Sequence, residues 1–439
     1  MLPKSLQRAL HPVIGSRARG RIAALLGAVL LSLAAIAFAI AGDLAQRAFA
    51  RLVAWNPWVP LIVTPITFAL VVVLTRKWWP EAKGSGIPQV MAAGRAPTAS
   101  NSARLLALPV AVAKFLFTIA LLLVGGSVGR EGPTVQVSAS LMAAVHRWLR
   151  VPISTGVVIA GGAAGVAAAF NTPLAGVAFA IEELASAFEQ RVAALVMMTV
   201  MVSGLISLGV AGDYVYFGAV AQQLPIRTML IAAPLAGILG GVLGGAFARA
   251  LIAMAWSRSG LIGAIRSRPI AWAFGCGLVV AVLGVASGGL SWGTGYETTR
   301  SLLAGEHKSL MFGPVKFVST LATAVSGAPG GIFAPSLSVG AGLGQLLAQL
   351  FPESPAGAIV LLGLIGYFTG VVRAPLTAVI IVSEMTADRS MILPLLGTAL
   401  IADWVSGKVC PQKLYHALAR QFMPKRQAVS QTDEPGTAP

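Results

Sequence analysis

The chain has 439 residues, of which 56% are apolar and only 11% charged, and its mean hydropathy is +0.81. A soluble domain carries about twice that share of charge, so the composition excludes an ordinary soluble enzyme or binding domain and indicates a polytopic membrane protein. The net charge of +17 includes basic clusters before the first apolar run and after the last, which indicates no nucleic-acid surface and, by the positive-inside rule, places both termini in the cytoplasm.

Apolar segments that would cross or nearly cross a bilayer follow one another along the chain. In the first half we predict membrane segments over 22–53, 57–74, 90–93, 103–124, 133–145, 153–169, 173–185 and 192–210, followed by a loop over 214–225. In the second half we predict them over 228–255, 270–286, 312–327, 336–350, 356–371, 376–387 and 391–407, with a polar stretch between 287 and 311. Several segments begin at Gly/Pro breaks. Such broken or re-entrant helices are tolerated at membrane depth only where they are buried in protein or line a cavity.

Residues 126–133 bring an acidic side chain to membrane depth, since they follow an apolar run from 111 to 124. A charge at that depth is costly, so Glu131 is a functional candidate by default. The surrounding glycines let the backbone approach a ligand closely, and Pro133 suits the first turn of a new helix. The unpaired N–H groups and positive dipole end of a helix start attract anions. The sequence therefore predicts a carboxylate and an anion site in the same place.

The two halves of the chain carry the same landmarks at one spacing. Four pairs of residues lie 202 positions apart, namely Gly129 and Gly331, Pro133 and Pro335, Pro173 and Pro375, and Glu182 and Glu384. Duplicated halves with broken segments in matching positions predict a transport site near the membrane midplane, between the repeats. We therefore divide the chain into a basic N-terminus (1–21), a first membrane repeat (22–212), a loop (213–227), a second membrane repeat (228–423) and a short tail (424–439). The position equivalent to Glu131 holds Phe333, so the helix start is duplicated and the carboxylate is not.

Three Gly/Pro breaks, at 84–88, 129–133 and 331–335, together predict one anion site. Each would present backbone N–H groups, and Ser85 would add a hydroxyl donor. Each break taken alone is better explained as a helix–helix turn, and only the three together with an intramembrane Glu131 favour a site. Glu131 also has simpler explanations, as a helix residue stabilised by the dipole or as an ion-pair partner of Arg130, although neighbouring side chains on a helix point apart. The functional interpretation is a proton-binding gate that occupies the anion position when ionised.

Other polar groups leave alternatives open. Glu182 and Glu183 end an apolar helix, where one fits a solvated helix end and the other fits a group that passes protons between water and Glu131. Tyr415 follows the last span and is either an interface aromatic or a hydroxyl that reaches the anion. The residues 125–129 match the G-x-S-x-G pattern of hydrolases, but that pattern needs a preceding strand and catalytic partners.

The reactive side chains indicate no metal site, no cofactor and no enzyme chemistry. The histidines and cysteines are scattered through the chain, at His11, His146, His307, His416, Cys276 and Cys410. The 15 acidic residues and four histidines contain no zinc motif and no catalytic pair. An intramembrane enzyme or a lipid-binding receptor is the alternative of a different class.

With these residues assembled, the chain resembles the ClC family of chloride channels and proton/chloride exchangers, of the prokaryotic type without cytoplasmic regulatory domains. The resemblance covers nearly the whole chain and rests on four motifs in the family's order. They are Gly84-Ser85-Gly86-Ile87-Pro88, Gly129-Arg130-Glu131-Gly132-Pro133, Gly331-Ile332-Phe333-Ala334-Pro335, and Tyr415 after the last helix. Gln89 departs from the glutamate that often follows the first motif.

The resemblance implies an all-α membrane protein of two inverted helical repeats, assembled as a homodimer in the lipid bilayer of a prokaryotic inner membrane. It implies that small inorganic anions are transported, with chloride bound by the hydroxyls of Ser85 and Tyr415 and by the backbone N–H groups of Ile332 and Phe333. Glu131 takes the place of the family's gating glutamate.

Glu183 takes the place of the inner proton-transfer glutamate, while Glu182 matches a structural position. A carboxylate at the inner position favours a proton/chloride antiporter over the alternative, a passive voltage- or pH-gated chloride channel of the same family.

Overall fold

The computed structural model describes residues 16–184, 190–212, 215–218, 224–257, 260–388 and 390–423, and this part of the chain is helical without a β-strand. The helices of the first half are α1 (Ser16–Trp55), α2 (Pro60–Trp78), α3 (Ile87–Arg95), α4 (Ser100–Leu105), α5 (Leu108–Leu123), α6 (Glu131–Trp148), α7 (Thr155–Phe170), α8 (Pro173–Phe179) and α9 (Gln190–Ala211). Those of the second half are α10 (Ile226–Trp256), α11 (Gly260–Ser267), α12 (Pro269–Ala286), α13 (Tyr296–Leu303), α14 (Phe312–Val325), α15 (Phe333–Ala348), α16 (Ala356–Val372), α17 (Pro375–Thr386), α18 (Ile392–Val409) and α19 (Leu414–Ala419). Short 3-10 turns cover Pro80–Ala82 and Arg420–Phe422, and a π-turn, Ala180–Leu184, extends α8.

Helix length follows the duplication. Among the described residues, six helices are long and apolar enough to cross a membrane. They form three repeat-related pairs, α1 with α10, α2 with α12, and α9 with α18. Shorter apolar helices pair in the same way, for example α5 with α14 and α7 with α16. This arrangement agrees with the multi-pass membrane protein predicted from composition.

The two halves meet about a local two-fold axis. Gly129 and Gly331, which are equivalent in the repeat, form an antiparallel bridge. The Gly129 N–H donates to the Gly331 carbonyl at 2.8 Å, and the Gly331 N–H donates to the Gly129 carbonyl at 2.9 Å. Because equivalent residues pair in antiparallel fashion, the two copies of this segment run in opposite directions. The prediction of inverted repeats is confirmed.

A second reciprocal contact joins the halves at α8 and α17. Glu182 accepts the Leu376 and Thr377 N–H groups at 3.2 and 2.7 Å. Its repeat equivalent, Glu384, accepts the Leu174 and Ala175 N–H groups at 3.2 and 2.8 Å. Each carboxylate therefore satisfies the unpaired donors at the start of the other half's helix.

The polar stretch between 287 and 311 contains α13, a helix that was not predicted from the sequence. Its segment is short and mostly polar, and only one side is buried, through Thr299, Leu302 and Leu303. The predicted loop over 213–227 is also too long, because α10 begins at Ile226. Residues 213–214 and 219–223 of that loop lie outside the described residues.

Candidate anion and proton site

The three Gly/Pro breaks lie side by side. The Gly330 N–H donates to the Gly84 carbonyl at 3.0 Å, and Gly129 pairs with Gly331 as described above. Backbone hydrogen bonds therefore join the segments that precede α3, α6 and α15, so the N-terminal ends of these three helices converge. Helix starts carry unpaired N–H groups and a positive dipole end, which makes their meeting point favourable for an anion.

Close approach of the breaks depends on missing side chains. A Cβ on Gly132 would lie 3.0 Å from the Ser85 carbonyl oxygen and 3.4 Å from the Gly331 Cα. Gly86 has φ 104°, a left-handed conformation that glycine adopts without strain, and it immediately precedes Ile87 and Pro88 at the start of α3. The glycines of the predicted motifs thus bring backbone against backbone around Ser85.

Glu131 is completely buried at the first position of α6. Its Oε2 accepts the Ala334 N–H from the first turn of α15 at 3.4 Å. The same oxygen lies so close to Gly129 that a side chain there would collide with it. Its Oε1 has no hydrogen-bond partner among the described residues. The carboxylate therefore occupies the position between the starts of α6 and α15 where a bound anion would receive N–H groups.

Arg130 points away from Glu131. Its Nη1 donates to the Ala39 carbonyl at 2.6 Å and to Asp43 Oδ1 at 2.7 Å. The ion pair of Arg130 is thus with α1, and the explanation of Glu131 as the partner of Arg130 is not supported by this geometry.

The hydroxyl-bearing residues Ser85 and Tyr415 border one cavity of about 120 Å³, together with Ile332. Tyr415 is completely buried, and neither hydroxyl has a hydrogen bond of ordinary geometry among the described residues, although the two groups interact with each other. A buried hydroxyl without a partner costs about 1–3 kcal/mol. These two hydroxyls are therefore the candidate ligands of whatever fills the cavity.

The Phe333 ring packs at the centre of an aromatic cluster. Its centroid lies 5.1 to 6.2 Å from those of Phe368, Tyr415, Phe179 and Phe170. The cluster fixes the Tyr415 ring beside α15 and keeps water away from it. The structure thus brings Ser85, Glu131, Ile332, Phe333 and Tyr415 into one region.

Glu183 lies in the π-turn after α8. It is buried, and both of its oxygens lack a hydrogen bond among the described residues. The Nδ1 atom of His416 lies 3.5 Å from its Oε1. In the sequence His416 is one of four scattered histidines, and this contact could not be predicted because only the fold brings α19 to the π-turn.

Two buried lysines were also missed as site residues. Lys114 on α5 donates to the Gly84 carbonyl at 2.6 Å, and Lys316 on α14 donates to the Gly293 carbonyl at 2.6 Å. Both side chains are fully buried, and no carboxylate of the described residues lies within 4 Å of either ammonium group. The signal was present in the sequence, since the two lysines are 202 residues apart.

A second cavity, of about 700 Å³, is lined by Asp43, Gln46, Arg130, Thr294 and Tyr296 among others. Thr294 belongs to a Gly-Thr-Gly sequence at 293–295, which precedes α13 as Gly-Ser-Gly precedes α3. The Gln46 Oε1 accepts the Thr294 N–H at 3.1 Å and the Thr294 hydroxyl at 3.3 Å.

The G-x-S-x-G stretch has the surroundings of a turn between membrane helices. It follows α5 rather than a strand, and the Ser127 hydroxyl is bonded to the Thr320 hydroxyl at 2.9 Å. A hydrolase elbow is therefore excluded at this position.

Comparison with known proteins agrees with this architecture. The family model described as "voltage gated chloride channel" matches residues 67–407. A curated relative from Yersinia pestis bv. Antiqua, the H(+)/Cl(-) exchange transporter ClcA, is 32% identical over 413 residues, which cover 85% of this chain and 81% of the relative. The protein of the same description from Yersinia pseudotuberculosis matches equally well.

Solved structures show the same fold. The crystal structure of a slow cyanobacterial Cl-/H+ antiporter has a TM-score of 0.79 at 25% identity, covering 95% of this chain and 100% of that one. A CLC-type fluoride/proton antiporter has a TM-score of 0.75 at 22% identity, covering 90% of this chain and 96% of that one.

Proposed function

The chain belongs to the voltage gated chloride channel family, the ClC family, and from that premise we propose that it exchanges chloride for protons across a membrane. The relatives described above carry this activity in their descriptions, as proton/chloride exchange transporters and an antiporter of the same fold. Antiport requires one pathway in which an anion and a proton-carrying group exclude each other. Coupled movement of ions would need no covalent chemistry and no cofactor.

The observation that supports this proposal most is the position of Glu131. The Glu131 carboxylate accepts an N–H of α15 and so holds the place of an anion, and no cationic side chain of the described residues lies within 4 Å of it. Protonation would neutralise the Glu131 carboxylate and weaken its interaction with the N–H groups at the helix starts. The side chain would then leave the anion position, and chloride would enter it. A charge buried without a partner is unfavourable, so occupation by chloride and protonation of Glu131 would accompany each other.

The chloride ligands in this proposal are the hydroxyls of Ser85 and Tyr415 and the N–H groups of Ile332 and Phe333. Both hydroxyls border the 120 Å³ cavity, and neither makes a hydrogen bond of ordinary geometry among the described residues. The Lys114 Nζ atom donates to the Gly84 carbonyl, which precedes Ser85, and so holds this loop in place behind the site. Glu183 would carry protons between Glu131 and the solution on the cytoplasmic side.

The proposal is tested with purified protein in liposomes, using a chloride gradient and a pH electrode. We expect chloride moving down its gradient to drive protons uphill. Glu131→Gln should keep the anion flux and lose the proton movement, because an amide cannot carry a proton through the cycle. Chloride flux without proton movement in the unaltered protein would instead assign the chain as a passive channel.

The two adjacent carboxylates provide a matched control. Glu183→Gln should abolish proton coupling while chloride still passes. Glu182→Gln should leave coupling intact, because this carboxylate accepts N–H groups at the start of α17 and is occupied structurally. Uncoupling by Glu182→Gln alone would exchange the roles assigned to the two residues.

We further propose a homodimer with one pathway in each subunit, in the inner membrane of a prokaryote with both termini in the cytoplasm. The basic residues at the chain ends support this orientation through the positive-inside rule.

A further inference from the structure

His416 and Glu183 form a pair that joins the protein interior to its surface. The Glu183 side chain is fully buried, whereas the His416 side chain is 36% exposed, and Nδ1 and Oε1 are 3.5 Å apart. Neither Glu183 oxygen makes a hydrogen bond among the described residues. A shift of about half an ångström would bring the two atoms into hydrogen-bond range. The imidazole is therefore a group that can contact both the solution and the buried carboxylate.

The local fold explains how two consecutive residues reach different sites. Tyr415 and His416 are in the first turn of α19, and successive side chains of a helix point about 100° apart. Tyr415 faces the cavity that contains Ser85, and His416 faces the π-turn. The π-turn separates Glu182 from Glu183 in the same way, since Glu182 bonds to α17 while Glu183 stays buried.

The charged surroundings leave His416 a single acidic neighbour. The elements that pack around α19 and its histidine include helices α3, α10 and α16, the turn Arg420–Phe422 and the π-turn. The π-turn also carries Glu182, whose oxygens already accept the Leu376 and Thr377 N–H groups of α17. The other charged groups on or directly flanking these elements at the α19 end are basic, namely Arg95, Arg249, Arg373, Lys413 and Arg420. Glu183 is the one carboxylate of the described residues within 4 Å of His416, so a proton leaving His416 toward the protein has Glu183 as its acceptor.

We propose that His416 relays protons between the cytoplasmic solution and Glu183, an inference that rests on the proposed exchange function. When a proton moves from the solution to Glu183, the imidazolium gives the proton on Nδ1 to Glu183 Oε1. This transfer leaves a neutral imidazole and a neutral carboxylic acid. The neutral imidazole keeps its proton on Nε2, so the ring turns its unprotonated Nδ1 to the solution, takes a proton there from hydronium or a buffer acid and turns back. The reverse steps release a proton. Imidazole suits this task because it gains and loses protons near neutral pH.

Three variants at position 416 separate relay from charge and from packing. His416→Gln should slow chloride-driven proton uptake about tenfold, a conservative value for loss of a positioned proton-transfer group. His416→Lys should slow it similarly, because an ammonium keeps the positive charge beside Glu183 and releases its proton poorly at neutral pH. His416→Asn repeats the Gln test with a smaller side chain, in case Gln disturbs folding. The exposed His307 supplies the matched control, and His307→Gln should leave uptake unchanged.

A readout without protons completes the test. In a Glu131→Ala background, which the proposed function makes uncoupled, His416→Gln should leave chloride flux within about twofold. Equal slowing of chloride flux in that background would show a packing role beside Tyr415 and overturn the relay. Normal uptake by His416→Gln, or normal uptake by His416→Lys, would also overturn it. Absence of proton movement in the unaltered protein would instead refute the exchange function, and the relay with it.

Discussion

The Ser85 loop (residues 83–86) and the Thr294 loop (residues 292–295) have the same backbone arrangement. They differ in whether the central hydroxyl is paired with a glutamine side chain. Each contains a Gly-x-Gly sequence whose second glycine has positive φ, 104° at Gly86 and 81° at Gly295. Each has its first glycine carbonyl held by a fully buried lysine, at 2.6 Å in both cases. The Ser85 hydroxyl lacks an ordinary hydrogen bond among the described residues, whereas the Gln46 side chain accepts both donors of Thr294.

The difference shows that duplication supplies the frame of a binding site and that side chains decide which copy can bind. Backbone conformation, helix start and buried lysine are present in both loops. The Ser85 hydroxyl borders a cavity and has no hydrogen bond of ordinary geometry among the described residues, whereas the Thr294 donors are paired with the Gln46 side chain. A donor that is already paired offers an anion little, because binding would first have to break the existing bond.

The largest effect is expected at the shared backbone. Gly86→Ala and Gly295→Ala should each lower the free energy of unfolding by about 3 kcal/mol, since left-handed backbone costs about 1–2 kcal/mol and crowding adds a similar amount. A Cβ would lie 2.9 Å from the Gly132 carbonyl oxygen in the first case and 2.8 Å from the Ser338 Cβ in the second. Unfolding of the detergent-solubilised protein measures both.

Gly84 provides the control for this pair, because it has φ 68° but no heavy atom of the described structure lies within 4 Å of its added Cβ. Gly84→Ala should therefore cost only the backbone part, about 1–2 kcal/mol. If Gly86→Ala and Gly295→Ala were as mild as Gly84→Ala, the loops would not be crowded as described.

A smaller effect is expected at the two hydroxyls, and here the loops should differ. Ser85→Ala should weaken chloride binding about tenfold, because it removes a hydrogen bond to a charged ligand worth about 1.5 kcal/mol. Thr294→Ala should leave chloride affinity unchanged. Calorimetric titration of the purified protein with chloride measures both affinities. Equal losses in the two variants would break the distinction between the loops.

The smallest effect is expected from Gln46, the residue that pairs with Thr294. Gln46→Ala should lower the free energy of unfolding by about 1 kcal/mol, which corresponds to two long hydrogen bonds at about 0.5 kcal/mol each, and should not change chloride affinity. Gln46→Glu keeps an acceptor at the same place and should lose less stability. Thermal unfolding of the three proteins in parallel would show the order, and a loss of chloride affinity in Gln46→Ala would place Gln46 in the pathway.

Much of the fold could be predicted because a helix that crosses the bilayer needs a long apolar run, which is visible in the sequence. Long apolar runs gave the spanning helices, and the spacing of 202 residues gave the duplication. The helix α13 was missed because its polar segment carries no apolar run. The Thr294 loop was missed because it lies 209 residues after the Ser85 loop, not 202. The segment between the loop and the following buried lysine is seven residues shorter in the second half, from Gly293 to Lys316, than in the first, from Gly84 to Lys114.

The candidate site was predicted where it depends on motifs and missed where it depends on packing. Glu131, Ser85 and Tyr415 were identified from local sequence, and the structure places them in one region. The partner of Arg130 is Asp43, far away in sequence, and no motif announces it. Lys114 interrupts an apolar run and was visible as an exception, but its bond to the Gly84 carbonyl requires the fold.

The bridge between Gly129 and Gly331 has a consequence for motion. Many duplicated transporters rock one half against the other around a fixed site. In this molecule such a movement would have to break two backbone hydrogen bonds on the axis and the four that Glu182 and Glu384 accept across it. The interface between the two halves is thus held by backbone hydrogen bonds directly beside the site. Access to the site from either side of the membrane would then depend on movements of single side chains. The rate of turnover would be set by rotamer changes more than by movement of one half against the other.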